Sequence, residues 1–183
     1  MASITALRLP IDWTLFGWSE NPRLGDITLS SGDPGWEWKP AAPAFSVHIT
    51  MADVGTEVPD FTVDHVVLLV PDLAIAVSTL DRVDLRPRLR MKVSGRPAAF
   101  FRVGTVLEVI EAPVRDASIY GIALAHSESL ESLALTWKGL GLKVGTIKPA
   151  IQPGRRIMTV HDLDAGLAVM SADGATEAPR KRG

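Results

Sequence analysis

At 183 residues with a formal net charge of −2, the chain has the length of one domain or of two small units sharing a core, and no global charge that would draw it to nucleic acid or acidic membranes. Apolar residues make up 46% and charged residues 22%, the balance of a folded chain rather than a disordered one. The lack of cysteine excludes disulfides, thiolate metal sites and cysteine nucleophiles together.

Residues 1–60 read as a β-rich extension. Trp13, Trp18, Trp36 and Trp38 lie here, among prolines and glycines that exclude long helices. The clearest element is AFSVHITM, in which Phe45, Val47, Ile49 and Met51 alternate with Ser46, His48 and Thr50. Residues 4–9, 13–18 and 26–30 carry weaker strand patterns. Either the tryptophans anchor an apolar extension on the main domain, or they line a ligand site or partner surface. Residues 55–62 read as a connector.

The segment 63–114 spells strand, helix and three strands. Residues 63–70 are apolar at both parities, which predicts a strand buried on both faces. Pro71 stops it, Asp72 caps a helix, and Leu73, Ala76, Val77 and Leu80 fall on one helical face. In LRPRLRMKV, Leu85, Leu89, Met91 and Val93 alternate with Arg86, Arg88, Arg90 and Lys92. That is an edge strand facing water, which Pro87 favours, or a cationic wall for a carboxylate or phosphate. Residues 97–103 and 105–111 form a hairpin about Gly104. Glu108 sits inside the last of these apolar strands, where a carboxylate needs a partner, a metal or a raised pKa.

After a linker at 114–118 the plan recurs over 118–173. A strand at 119–125 leads to a Ser127 or Ser129 cap, then a helix marked by Leu130, Leu133, Trp137 and Leu140. Strands follow at 142–148, 155–160 and 166–171. A repeat at about fifty-five residues implies a duplication whose two modules share a sheet or pack side by side. Residues 174–183 are small and polar, the composition of a disordered tail.

At DHVVLLVPDL and FFRVGTVLEVIEAP the chain resembles the vicinal oxygen chelate superfamily, which includes glyoxalase I, extradiol dioxygenases and bleomycin resistance proteins. The resemblance spans 63–171. It implies an α+β fold of two paired βαβββ modules whose curled mixed sheets enclose a cavity, with the first sixty residues outside it. Metal-dependent members take one ligand from the first and one from the last strand of each module, around a divalent cation acting as Lewis acid. His65 and Glu108 match in the first module. In the second, Gly121 and Ala168 stand where ligands are expected. Of the other candidates, parity turns His126 and Tyr120 away from the cavity, His161 falls in a turn with Asp162 and Asp164, and His48 belongs to the extension.

The leading expectation is therefore a cytoplasmic, glyoxalase-like small-molecule-binding protein with a degenerate metal site, of the non-metal binding or resistance kind. His65 and Glu108 would pair to orient the ligand or act as an acid–base couple. Arg102, Val106 and Ile110 would line the ligand site, with an anionic group beside Arg102. One alternative is a divalent-metal-dependent lyase, isomerase or dioxygenase using His65, Glu108 and unconventional ligands. The other is an interaction module with a vestigial cavity, whose tryptophan-rich arm binds a partner or forms a homodimer. Nucleic-acid and membrane partners are not expected: no basic–aromatic cluster, leader pattern or apolar run of spanning length is present.

Overall fold

The computed structural model describes residues 2–40 and 55–172. The strand expected around AFSVHITM, with His48, and the tail at 174–183 lie outside the described residues. The elements in chain order are β1 (Ser3–Leu9), a 3-10 turn (Trp13–Phe16), β2 (Pro22–Leu24), β3 (Ile27–Ser31), β4 (Gly35–Lys39) and β5 (Thr56–Glu57). Next come β6 (Phe61–Val70), α1 (Leu73–Asp81), β7 (Leu89–Val93), β8 (Arg96–Val103) and β9 (Thr105–Glu111). The second module supplies β10 (Ser118–His126), α2 (Leu130–Gly139), β11 (Lys143–Val144), β12 (Lys148–Pro149), β13 (Arg156–His161) and β14 (Gly166–Ser171).

Among the described residues there are two sheets. The extension forms one in the order β4-β1-β3-β2-β5, and the modules form the other in the order β11-β13-β14-β10-β6-β9-β8-β7, with β12 on β13. The modules meet edge to edge through antiparallel β6 and β10, and each pairs its first strand in parallel with its last. The expected α+β architecture of two βαβββ modules is therefore observed, with an N-terminal β-rich extension.

Both helices start where local chemistry stops a strand. Asp72 accepts a hydrogen bond from the Ile75 N–H at 2.9 Å, and Ser129 accepts one from Ser132 at 3.3 Å. Helix α1 buries Leu73, Ala76 and Leu80; α2 buries Leu130, Leu133, Ala134 and Trp137. Both cover the same side of the large sheet, over Val66, Leu68, Val70, Phe101, Leu107, Val109, Ile122 and Leu124, all buried. The opposite side is half open. Val67, Leu69, Val106, Ile110 and Phe100 are only partly buried there.

That asymmetry corrects the expectation that β6 is buried on both faces. Asp64 is an extra residue between His65, which faces Ala123 on β10, and Val63, which faces Leu124. Such a bulge reverses side-chain parity. Phe61 and Val63 thus join Val66 and Leu68 on the helix side, although their numbers share parity with His65. A second bulge, at Tyr120, does the same in β10.

Four further expectations are corrected. Residues 13–18 hold a 3-10 turn rather than a strand, because Asp12 accepts from Thr14 N–H at 3.0 Å and caps it. In the arginine-rich stretch only Leu89–Val93 forms a strand; Leu85 is buried outside it, while Leu89 and Met91 are exposed. The strand is the terminal one of its sheet, the position Pro87 and the charges favour. The 142–148 pattern splits into β11 and β12, and the 55–62 connector contains β5 and the start of β6.

The extension packs against the second module through aromatic rings. Phe16 meets Trp137 edge-on at 4.9 Å, Trp18 meets Phe61 at 5.0 Å, and Phe61 lies parallel to Trp137 at 5.9 Å. The anchoring reading of Trp13 and Trp18 is therefore the observed one. Trp137→Ala would remove the ring shared by these contacts and leave a cavity, so it should lower unfolding free energy by about 3–5 kcal/mol. Chemical denaturation followed by tryptophan fluorescence measures this, and hydrogen exchange should rise first in residues 13–18.

Candidate functional site

The two bulges and the strand registers place the candidate residues. His65 stands opposite Val106 on β9 as Gly121 stands opposite Gly166 on β14. Glu108 stands opposite Val67 as Ala168 stands opposite Ala123. Register alone therefore makes Gly121 the counterpart of His65 and Ala168 that of Glu108, with Asp64 and Tyr120 as matching bulged residues. His65, Val106 and Arg102 form one row across the open face, and Val67, Glu108 and Phe100 form the next.

In the first module the polar groups form a chain of contacts. His65 Nε2 lies 3.4 Å from Glu108 Oε2, and His65 Nδ1 lies 2.8 Å from Asp64 Oδ2. Asp64 Oδ1 accepts from an Arg155 guanidinium nitrogen at 2.6 Å. Arg155 Nε in turn donates to the Ser171 carbonyl at 2.7 Å. In a regular strand Asp64 and His65 would point to opposite faces; the bulge brings the carboxylate to the imidazole. Thr105 holds the bulge, its hydroxyl lying 2.7 Å from both the Val63 and Asp64 carbonyls. One proton shared between two acceptors satisfies groups that the interrupted ladder leaves over.

The electrostatics differ at the two ends. Burial pushes the Glu108 carboxyl above the usual range, and the nearby His65 offsets this only in part. Burial also acts upward on Asp64, but hydrogen bonds from His65 and Arg155 outweigh it and hold this carboxyl below its ordinary value. The chain thus runs from a firmly ionised Asp64 to a Glu108 that resists ionisation, with His65 between them. The 3.4 Å separation is long for a hydrogen bond and short for an electrostatic contact.

The second module lacks more than side chains. A Cβ built on Gly121 would lie 2.6 Å from Gly166 Cα and closer still to its carbonyl oxygen. Backbone occupies the space that a side chain at 121 would need. Gly166 is itself covered, since a Cβ there would meet the Tyr120 ring at 2.5 Å. The bulge is what places Tyr120 over Gly166, a position that simple strand parity does not give. His126 lies on the helix side, its Nδ1 3.1 Å from the Asp60 carbonyl and its ring 4.4 Å from Phe61. His161 is exposed and is the last residue of β13 rather than part of a turn, at the same parity as Thr159, which pairs with Ala168.

Among the described residues, those nearest one another on this face that could reach a divalent ion are His65 and Glu108, with Asp64 beside His65. Among the described residues no group of three or more His, Asp or Glu converges with metal-binding geometry. A four-donor ring drawn from both modules does not fit, because Gly121 and Ala168 complete it. Sequence reasoning missed Asp64 and Arg155. Asp64 is adjacent to His65 and was accessible as a neighbour, but nothing local marks Arg155, 91 residues away.

Arg102 and Val106 are on the open face, and Ile110 is half-buried further along β9. A cleft of ≈ 470 Å³ opens at this end of the sheet, between Arg102, Asp64 and Arg155 on one side and Ser3–Thr5 and Leu24–Ile27 of the extension on the other. Gly104, at φ +82°, makes the tight turn of the β8–β9 hairpin there, and its α-carbon faces Ser3 closely enough that a Cβ would meet the serine side chain at 3.3 Å.

No family model and no curated protein matches this sequence. Solved structures do match. The methylmalonyl-CoA epimerase from Mycobacterium tuberculosis aligns over 64% of this chain and 88% of its own, at 17% identity and a TM-score of 0.50. A hypothetical protein, BH1468, from Bacillus halodurans C-125 aligns over 64% of this chain and 99% of its own, at 16% identity and a TM-score of 0.53. At such identities the likeness concerns the fold, and it agrees with the module order, the registers and the paired bulges: this chain has the vicinal oxygen chelate fold.

Proposed function

We propose that the chain is a glyoxalase-like small-molecule-binding protein whose metal site is degenerate. The observation that carries this reading is the backbone contact between Gly121 and Gly166, which fills the position equivalent to His65. A ligand would lie on the open face against Val106 and Ile110, with its polar end toward His65 and Glu108. Arg102 would meet an anionic group. Asp64 accepts at Nδ1 of His65, which leaves Nε2 as the nitrogen facing Glu108 and the ligand. Burial raises the Glu108 carboxyl above its ordinary range, so it would hold a proton to higher pH than an exposed carboxylate does.

The metal-dependent reading is distinguished by elemental analysis of the purified chain with added Mg²⁺, Mn²⁺, Ni²⁺ or Zn²⁺. The expected result is no stoichiometric ion retained after dialysis. A stoichiometric ion lost in both His65→Ala and Glu108→Ala would establish the metal-dependent reading instead. Gly121→Ala tests the closed half-site directly. It should destabilise the chain by ~3 kcal/mol or more, because β14 backbone has to move.

The carboxyls also predict how stability varies with pH. Glu108 has a raised folded-state pKa, so the stability linked to its protonated form is complete below 4.5 and is lost as pH rises through the folded value. Asp64 has a lowered one, so its contribution is complete above 3.8 and is lost as pH falls through its folded value. Urea titrations across pH should show both slopes in the native chain. Glu108→Gln should abolish the upper slope and leave the acid one.

A further inference from the structure

The cleft between the extension and the first module shares Arg102 with the open face and adds an acidic residue from the extension. Its walls include Arg102 and Asp26, both exposed. The buried charges in the cleft are already compensated, since Arg155 is 8% exposed and paired with Asp64. Among the described residues, no carboxylate pairs with Arg102 and no cation with Asp26, nor do the two pair with each other. The cleft thus presents one cation and one anion, from different sheets, held apart. The lining is mixed, with apolar surface from Ile4, Leu24 and Ala125 beside polar surface from Ser3, Thr5 and Thr62.

We infer that this cleft binds a small zwitterion, an amino-carboxylate whose carboxylate meets Arg102 and whose ammonium meets Asp26. A volume of ≈ 470 Å³ is within the range of small-molecule sites. A single charge of either sign would leave the other wall residue facing it unmatched, whereas a ligand carrying both charges answers each. The inference rests on the proposed function in taking Arg102 as ligand-binding, but it needs neither His65 nor Glu108. It also gives the extension a role: residues 24–27 supply the acidic half of the site.

The test titrates the full chain with glycine, β-alanine, 4-aminobutyrate and 6-aminohexanoate, and with propionate and propylamine as singly charged controls, following backbone amides by two-dimensional NMR. One amino acid of the length series should give saturable shifts at 3–5, 24–27, 62–64 and 102–105, with affinity about tenfold above either control. Arg102→Ala should reduce its affinity to that of propylamine, and Asp26→Asn to that of propionate. Both residues are exposed, so both variants should fold. Propionate binding as tightly as the amino acid, or Asp26→Asn tightening binding, would overturn the zwitterion in favour of an anion site. The absence of saturable shifts throughout the series would overturn the cleft itself.

His65→Ala separates this inference from the proposed function. Amino-acid binding that persists in His65→Ala supports the cleft independently of the open face. Binding lost in His65→Ala but retained in Arg102→Ala would overturn the cleft while leaving the open face as the ligand site.

Discussion

One extra residue in β6 sets the arrangement of everything around it. Because Asp64 is bulged, Phe61 and Val63 turn to the helix side, where Phe61 meets Trp18, Trp137 and His126 and binds the extension to the second module. The same bulge leaves His65 on the open face with a carboxylate beside it. A regular strand could satisfy one of these demands, not both, since parity alternates along its whole length. Thr105 holds the irregularity through its hydroxyl, so a buried threonine on β9 links core packing to the site.

The charged contacts distribute burial costs in a consistent way. Arg155 and Asp64 are both largely buried, and removing either would take the ion-pair partner from the other, leaving Asp64 its contact with His65 and Arg155 its hydrogen bond to the Ser171 carbonyl. Their attachment spans the two modules, from β6 to the residue preceding β13. Among the described residues Glu108 has no comparable cation. Its ionisable neighbour is the His65 imidazole at 3.4 Å, and burial dominates its titration. Two carboxylates on neighbouring strands thus have opposite tendencies, and the difference comes from the hydrogen bonds Asp64 accepts, from His65 first and then from Arg155.

Local signals in the sequence predict local structure well. Asp72 and Ser129 cap the helices as their positions suggest, the β8–β9 hairpin turns at Gly104, and the duplicated order of strand, helix and three strands is observed. The Asp12 cap was equally local and marks the 3-10 turn that alternation at 13–18 disguises. The bulges were not legible, because a bulged residue has no compositional mark and apolar residues at both parities also describe a doubly buried strand. Register decides between them, and register is a long-range property. The Arg155–Asp64 pair and the Gly121–Gly166 approach are illegible for the same reason: each joins residues far apart in sequence. Gly121 and Ala168 are visible as departures from the family pattern. That backbone, rather than empty space, replaces the side chain at 121 is visible only in three dimensions.

The Gly121–Gly166 contact also makes the present state hard to leave. A histidine or glutamine at 121 is not a single step away, because β14 must first withdraw, and β14 is held between β10 and β13 while Tyr120 covers Gly166. Substituting Ala168 alone would add one donor to a ring still blocked at the other position. A larger side chain at 121 would require coordinated changes at 120, 121 and 166. The contact works as a backbone lock between β10 and β14, so substitutions can add side-chain chemistry to the open face of the first module without first moving a strand.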